Sequence, residues 1–219
     1  MKRVLVLAAM MCGPVFAGPS AKEVIPPPPP PEPALWNWFI GGSAGYLFDF
    51  EEPMYHAHLG IEKSCNDISS HALFLEVGWT EKDDTYLSQP IFVGDFRVRL
   101  GLTSDIEIVP VTLNYKYERM IANRLNFYIG AGVGIAFVDY DATLTAIGSP
   151  AAPVSTGDSD EVFAAQVFTG LVFDVTEHFE IYGGARWIHI DDGDIMYSPI
   201  GVQPLEDDFL GELGIRFNF

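Results

Sequence analysis

The chain has 219 residues with 30 Asp and Glu against 12 Lys and Arg, a formal net charge of −18 that excludes nucleic acid as a partner. Two cysteines, Cys12 and Cys65, are too few for a disulfide scaffold, and the length fits one domain. Lys2 and Arg3 precede an apolar run from Val4 to Met11, and Val15-Phe16-Ala17 offers residues that a signal peptidase accepts. Residues 1–17 therefore read as a signal peptide and the mature chain as exported. Ala9-Met10-Met11-Cys12 lacks the leucine and small residues of a lipidation box, so Cys12 is expected to leave with the leader. Cys65 then stands alone, which leaves no internal disulfide and argues against a thiol-metal site. In residues 18–35, Ile25 is followed by Pro26 to Pro31, Glu32 and Pro33, an extended polyproline stretch with no packing role. It reads either as a periplasmic spacer or as a plain disordered leader.

Residues 36–219 are expected to form the folded domain. No uninterrupted apolar run of about eighteen residues occurs after the leader, so no transmembrane helix is predicted. The stretch Ala34 to Phe48 holds Gly41, Gly42 and Gly45, too many glycines for a helix standing in lipid. Read with the period of two that a strand imposes, it separates into faces, and the same alternation recurs. Strands are predicted at Trp36 to Phe48, Met54 to Lys63, His71 to Thr80, Asp105 to Glu118, Leu125 to Tyr140, Glu161 to Phe173, Phe179 to Ile190 and Phe209 to Phe219. One face of each is apolar, as in Leu73/Leu75/Val77/Trp79 and Phe127/Ile129/Ala131/Val133/Ile135/Phe137. The other face collects His56, His58, Glu62, Glu76, Thr112, Asn114, Lys116, Gln166, Glu180, Arg186 and several glycines. Segments of about ten residues with this alternation are the signature of a membrane barrel.

A soluble lipocalin-like barrel, apolar side inward, would alternate in the same way. Three features favour the membrane reading. Connections alternate in length: Ser64 to Ser70, Arg119 to Arg124 and Asp174 to His178 are short, whereas Glu81 to Ser104, Asp141 to Asp160 and Asp191 to Asp208 are long. Short periplasmic turns opposite long external loops give that rhythm, with only Asp49 to Pro53 brief on the outer side. Aromatics also gather at both ends of the apolar faces. Trp38, Tyr115, Tyr117, Phe127, Phe173, Phe179, Phe217 and Phe219 would ring the periplasmic edge. Tyr46, Phe48, Tyr55, Trp79, Phe137, Phe163, Trp187 and Phe209 would ring the outer one. Finally, the tail Leu213, Ile215, Phe217, Phe219 shares one apolar face and ends on an aromatic, which an unpaired edge strand would avoid.

That tail resembles the assembly signal of bacterial outer-membrane β-barrels. With Pro110-Val111-Thr112-Leu113-Asn114-Tyr115-Lys116-Tyr117, Phe127-Tyr128-Ile129-Gly130-Ala131-Gly132-Val133-Gly134 and Gly214-Ile215-Arg216-Phe217, the chain resembles the OmpA-like and opacity-protein-like barrels. The resemblance implies an all-β fold, an eight-stranded antiparallel up-and-down transmembrane β-barrel, monomeric, in the bacterial outer membrane. It also implies delivery by the barrel-assembly machinery and contact with outer-membrane lipids and lipopolysaccharide. The family serves as adhesins, membrane stabilisers and, in some members, enzymes. Full-length OmpA-type proteins carry a peptidoglycan-binding domain after the barrel, and this sequence shows none.

Eight strands leave an interior that side chains fill, so a general porin is not expected. Gly130, Gly132 and Gly134 lie on the inward face and read as sites of close packing. If the strands close in order, Glu76, Arg186 and Glu212 should converge in the lumen, one guanidinium serving two carboxylates. Lys116 with Glu62 and Arg216 should form a second group nearer the periplasm. The histidines do not assemble a hydrolytic site: His56 and His58 point inward, and His71 and His178 fall in periplasmic turns. His189 with Asp191, Asp192 and Asp194 is the best constellation, but its spacing matches no calcium loop and reads as a solvated acidic loop. No catalytic residue, metal or cofactor is expected. Carboxylates at Glu51/Glu52, Asp83/Asp84, Asp139/Asp141, Asp158/Asp160/Glu161 and Glu206/Asp207/Asp208 make the outer rim anionic. They solvate the loops, meet lipopolysaccharide through divalent cations, or recognise a basic surface partner. The expected role is structural or adhesin-like, with a lipid-modifying enzyme or a soluble ligand-binding barrel as alternatives.

Overall fold

The computed structural model describes residues 36–66, 68–93, 96–148, 151–191 and 207–219. The leader expected at 1–17, the spacer at 18–35, and Asp192, Asp194 and Glu206 lie outside them. Nine strands form among the described residues: β1 Trp36–Leu47, β2 Pro53–Asn66, β3 Ser69–Leu87, β4 Ile91–Val93, β5 Phe96–Ala122, β6 Leu125–Ile147, β7 Val154–Asp174, β8 Phe179–Ile190 and β9 Asp207–Asn218. Eight of them close a ring of antiparallel neighbours in chain order, and β4 is a short hairpin strand against β5 at one tip. The ring shuts where β1 meets β9, with Ile40 opposite Phe217 and Ala44 opposite Leu213. Closure satisfies the backbone of both terminal strands, and Trp38 and Phe219 exchange both of their backbone bonds, at 3.2 and 2.9 Å.

The barrel is inside out relative to a soluble one. Leu213 is 72% exposed and Val133 58%, while Glu76, Arg186 and Glu212 are below 5%. Side chains at odd and even positions of a strand leave the sheet on opposite sides, so one alternating sequence sends apolar residues out and polar ones in. That orientation removes the soluble-barrel alternative, which would spread bare leucine and phenylalanine over water. Aromatics ring both ends of the apolar band, with Tyr55 stacked on Trp79 at one and Phe217 on Phe219 at the other.

Two expectations are corrected. Much of the predicted loops Glu81 to Ser104 and Asp141 to Asp160 is strand: β3 runs on from Glu81 opposite Glu107 to Leu87 opposite Gly101, and β6 pairs Asp141 with Gly157 of β7. The outward face there turns from apolar to polar, but alternation persists, and paired backbones keep their hydrogen bonds in water as well as in lipid. Four strands, β3, β5, β6 and β7, thus rise beyond the apolar band as a sheet whose inner face buries Leu102, Ile106, Tyr140 and Ala142. His71, expected in a turn, lies within β3, its ring against those of Tyr115 and Tyr117. His178 does lie in the turn between β7 and β8.

Candidate functional site

The lumen is filled in layers. At the long-strand end Leu47, Phe50, Met54, Ile108, Ala136 and Leu210 form an apolar plug. The turn between β1 and β2 is drawn inward over it by Asp208, whose Oδ1 accepts from the Phe48 and Asp49 amides at 3.1 and 3.0 Å and whose Oδ2 accepts from Phe50 at 2.9 Å. Lys82 Nζ donates to the Phe50 carbonyl at 2.7 Å and sits over its ring. The reading of Asp208 as a rim carboxylate in solvent is corrected here, because it is 0% exposed and binds backbone. Residue parity shows only that Asp208 and Leu210 share a face. It does not show that a turn some 160 residues earlier brings amides to that carboxylate.

Beneath the plug, Arg186 lies between Glu76 and Glu212. Its Nη1 donates to Glu76 Oε1, and its Nη2 reaches Glu212 Oε2 at 3.0 Å. Gln166 accepts from Arg186 at 2.8 Å and donates to Glu76 at 2.8 Å, and Ser43 donates to Glu212 at 3.1 Å. The forked guanidinium and these neutral partners pair every buried charge of the layer through hydrogen bonds. Below come the rings of Phe39, Phe74, Tyr128, Phe168 and Tyr182, with Arg186 over Phe168 at 5.2 Å and Arg216 over Phe39 at 4.8 Å. The inward glycines fit this filling: a Cβ at Gly132 would meet Asn114, and one at Gly130 would meet the Phe168 ring.

The second charged group is larger than expected. Arg216 pairs with Glu62 at 2.6 Å and Glu180 at 2.7 Å, while Lys116 pairs with Glu118 at 2.6 Å. Lys116 therefore meets the group through Glu118, and Glu118 and Glu180 join the residues expected. Alternation shows that all five face inward; which pairs form depends on the stagger of strands around the ring. Below this layer a vestibule of about 390 Å³ opens at the short-turn end.

The two lumen histidines make separate contacts. His56 Nδ1 lies 3.4 Å from Ser43 Oγ, and the His58 ring packs on Phe39, Phe74 and Tyr182 with Nδ1 3.9 Å from Glu76. At the outer rim His189 contacts Asp207 through Nδ1 at 2.8 Å and Asp191 through Nε2 at 2.9 Å, its ring stacked on Trp187. Both nitrogens face carboxylates, which suits a doubly protonated ring and not a general base.

One outer feature escaped the sequence reading. On the convex face of the emergent sheet Glu81, Glu107 and Asp139 stand opposite one another on β3, β5 and β6, and Asp83, Asp105 and Asp141 form the next row. Glu81, Asp83 and Asp105 bring one carboxylate oxygen each within 4.8 Å of the others. Burial against the sheet, then Asp83 opposite, pushes the Asp105 carboxyl above the usual carboxylate range. Partial desolvation, then Asp105, does the same to Glu81. Pairs two apart, Glu81/Asp83, Asp105/Glu107 and Asp139/Asp141, were the available signal; reading Glu81, Asp83 and Asp141 as loop concealed their alignment.

No protein-family model matches the chain. An uncharacterized protein of Brucella abortus (strain 2308) is 26% identical over 241 residues, covering 88% of this chain and 84% of the relative. One of Brucella suis biovar 1 (strain 1330) is 27% identical over 245 residues with the same coverage. Among solved structures, a major outer membrane protein from Thermus thermophilus aligns with a TM-score of 0.53 at 12% identity, covering 84% of this chain and 100% of that one. The N-terminal β-barrel domain of Pseudomonas aeruginosa OprF aligns with a TM-score of 0.42 at 15% identity, covering 84% and 97%. By fold the chain is an eight-stranded, up-and-down outer-membrane β-barrel.

Proposed function

We propose that the protein is exported to the bacterial outer membrane by its N-terminal leader and acts there as a monomeric structural and surface-interaction barrel. Its short turns face the periplasm and its emergent sheet faces outward. The observation that carries this reading is the continuous apolar exterior around a charged, filled lumen, a surface that only hydrocarbon solvates well. The plug and the two ion-pair layers argue against general solute passage, and the reading is non-enzymatic. The carboxylate rows stand directly beyond the outer aromatic ring, at the height of lipid phosphates. There they favour lipopolysaccharide bridged by divalent cations, or a basic surface partner. Leu213, Ile215, Phe217 and Phe219 face lipid on the closing strand and serve as the signal to the barrel-assembly machinery.

Outer-membrane fractionation with heat-modifiable mobility in SDS tests the location. Protein that stays soluble and shows no mobility shift would sink the reading. Deleting Phe219 tests the assembly signal: the truncated chain should accumulate as periplasmic, protease-sensitive protein. Normal membrane yield of the heat-modifiable form would contradict that role.

A further inference from the structure

We propose that the lipid-facing rim at the short-turn end holds the headgroup of a net-anionic glycerophospholipid of the periplasmic leaflet, its phosphate between Lys63 of β2 and Arg119 of β5. Four strands bring the parts together. Trp36 of β1, Lys63 of β2, His71 of β3 and Tyr117 of β5 stand opposite one another in a single row. Arg119 is one pleat nearer the turn, opposite Ser69 and diagonal to His71. All five share the outward parity of Trp38, Ile61, Leu73 and Tyr115 on the same strands. Directly opposed residues have Cβ atoms about 5 Å apart and diagonal ones about 7 to 8 Å, so the long side chains of Lys63 and Arg119 reach one phosphate over His71.

The row carries the chemistry of an anion site at a membrane surface. Lys63 Nζ lies 5.5 Å from the centre of the Trp36 ring, which holds the ammonium at the interface without neutralising it. The Tyr115 hydroxyl bonds His71 Nδ1, and a hydroxyl that donates there leaves the ring proton on Nε2 as a further donor. Charge bookkeeping points the same way. Lys116, Arg186 and Arg216 are paired in the lumen and Lys82 is bound to the Phe50 carbonyl, yet Lys63 and Arg119 have no ion-pair partner among the described residues. The outward faces of β1, β2, β3 and β5 carry no carboxylate side chain short of Glu81 and Glu107 at the opposite end. In a chain of net charge −18, two neighbouring cations left unpaired call for an anion from outside it. Lipid supplies one at this height, beside the periplasmic aromatic ring, and the exposed side chains of Trp38, Leu59, Leu73 and Leu75 offer its acyl chains an apolar surface. Two cations favour a headgroup with net negative charge over a zwitterionic one, whose ammonium they repel.

The leaflet rests on the orientation proposed above, whereas the headgroup preference does not and is measured without it. Native mass spectrometry of the full-length chain, refolded in an uncharged detergent and titrated with phosphatidylglycerol or phosphatidylcholine, reads the retained lipid. One phosphatidylglycerol should be held in preference. Lys63→Gln with Arg119→Gln should weaken it about thirtyfold, each cation near an anionic headgroup contributing about fivefold, and leave phosphatidylcholine unchanged. Arg99→Gln, the same loss of charge at the far end of β5, should change nothing. Where the double variant lacks the mobility shift of a folded barrel, Arg119→Gln alone, at an exposed position, carries the test with a fivefold loss. Equal retention of the two lipids, a preference kept in the folded double variant, or displacement by equimolar inorganic phosphate overturns the site. The free, exposed Cys65, two residues beyond Lys63 on β2, reports the leaflet. A polyethylene-glycol maleimide should label it only after the outer membrane is permeabilised, and labelling in intact cells overturns the periplasmic placement whatever the headgroup preference.

Discussion

The lumen and the emergent wall use the same acidic side chains in opposite ways. In the lumen Glu62, Glu76, Glu118, Glu180 and Glu212 meet Lys116, Arg186 and Arg216 at contact distance, and Gln166 and Ser43 add hydrogen bonds to Glu76 and Glu212. On the wall Glu81, Asp83, Asp105, Glu107, Asp139 and Asp141 face one another across neighbouring strands. Burial explains the difference. A carboxylate cut off from water must be paired, whereas one that water still reaches can tolerate a like neighbour at a modest cost. The pattern also separates two tasks: the paired interior holds the barrel shut, and the unpaired exterior is left able to attract cations.

The sharpest break of that contrast is Arg186→Ala. It strands Glu76 and Glu212 in the lumen, for which a loss of about 3 to 5 kcal/mol is usual. Reversible urea unfolding in vesicles measures it, and a loss below about 0.5 kcal/mol, the scatter of surface changes, would mean that the lumen is open to water. Next in size, Val133→Arg puts a charge on the lipid-facing belt at about 2 to 4 kcal/mol, while Ser155→Arg on the exposed wall should be near neutral. Equal unfolding midpoints for those two would reverse the assignment of faces.

The smallest effect has the opposite sign. Asp105→Asn removes a carboxylate with like neighbours on both adjoining strands and should stabilise the barrel by about 0.2 to 1 kcal/mol near neutral pH. The folded-state carboxyls of Asp105 and Glu81 lie above their unfolded values, so the folded form takes up protons first as pH falls. Their repulsion is therefore absent at low pH and grows as pH rises through the carboxylate range. The gap between Asp105→Asn and the parent protein should narrow from about pH 8 to about pH 4, and millimolar magnesium should narrow it at constant pH. A parent protein more stable than Asp105→Asn near neutral pH, with that advantage lost on acidification, would show that Asp105 is held charged by a favourable partner.

Alternation along the chain determined a great deal by itself. It identified the eight ring strands, gave β8 its bounds Phe179–Ile190, and showed which residues share a face, because the period of two is a local property of extended backbone. It also put Glu76, Arg186 and Glu212 on the inward side, where the structure brings them into contact. Three things were decided only by the tertiary structure. The reach of β3, β5, β6 and β7 past the apolar belt depends on neighbouring strands being present to pair, which composition does not record. The partners of Arg216 and Lys116 depend on how far each strand is staggered around the ring, a property of closure and not of any one segment. Asp208 became a backbone-binding carboxylate, and the acidic pairs at positions 81/83, 105/107 and 139/141 became one patch, through contacts between strands far apart in the chain, fixed by register.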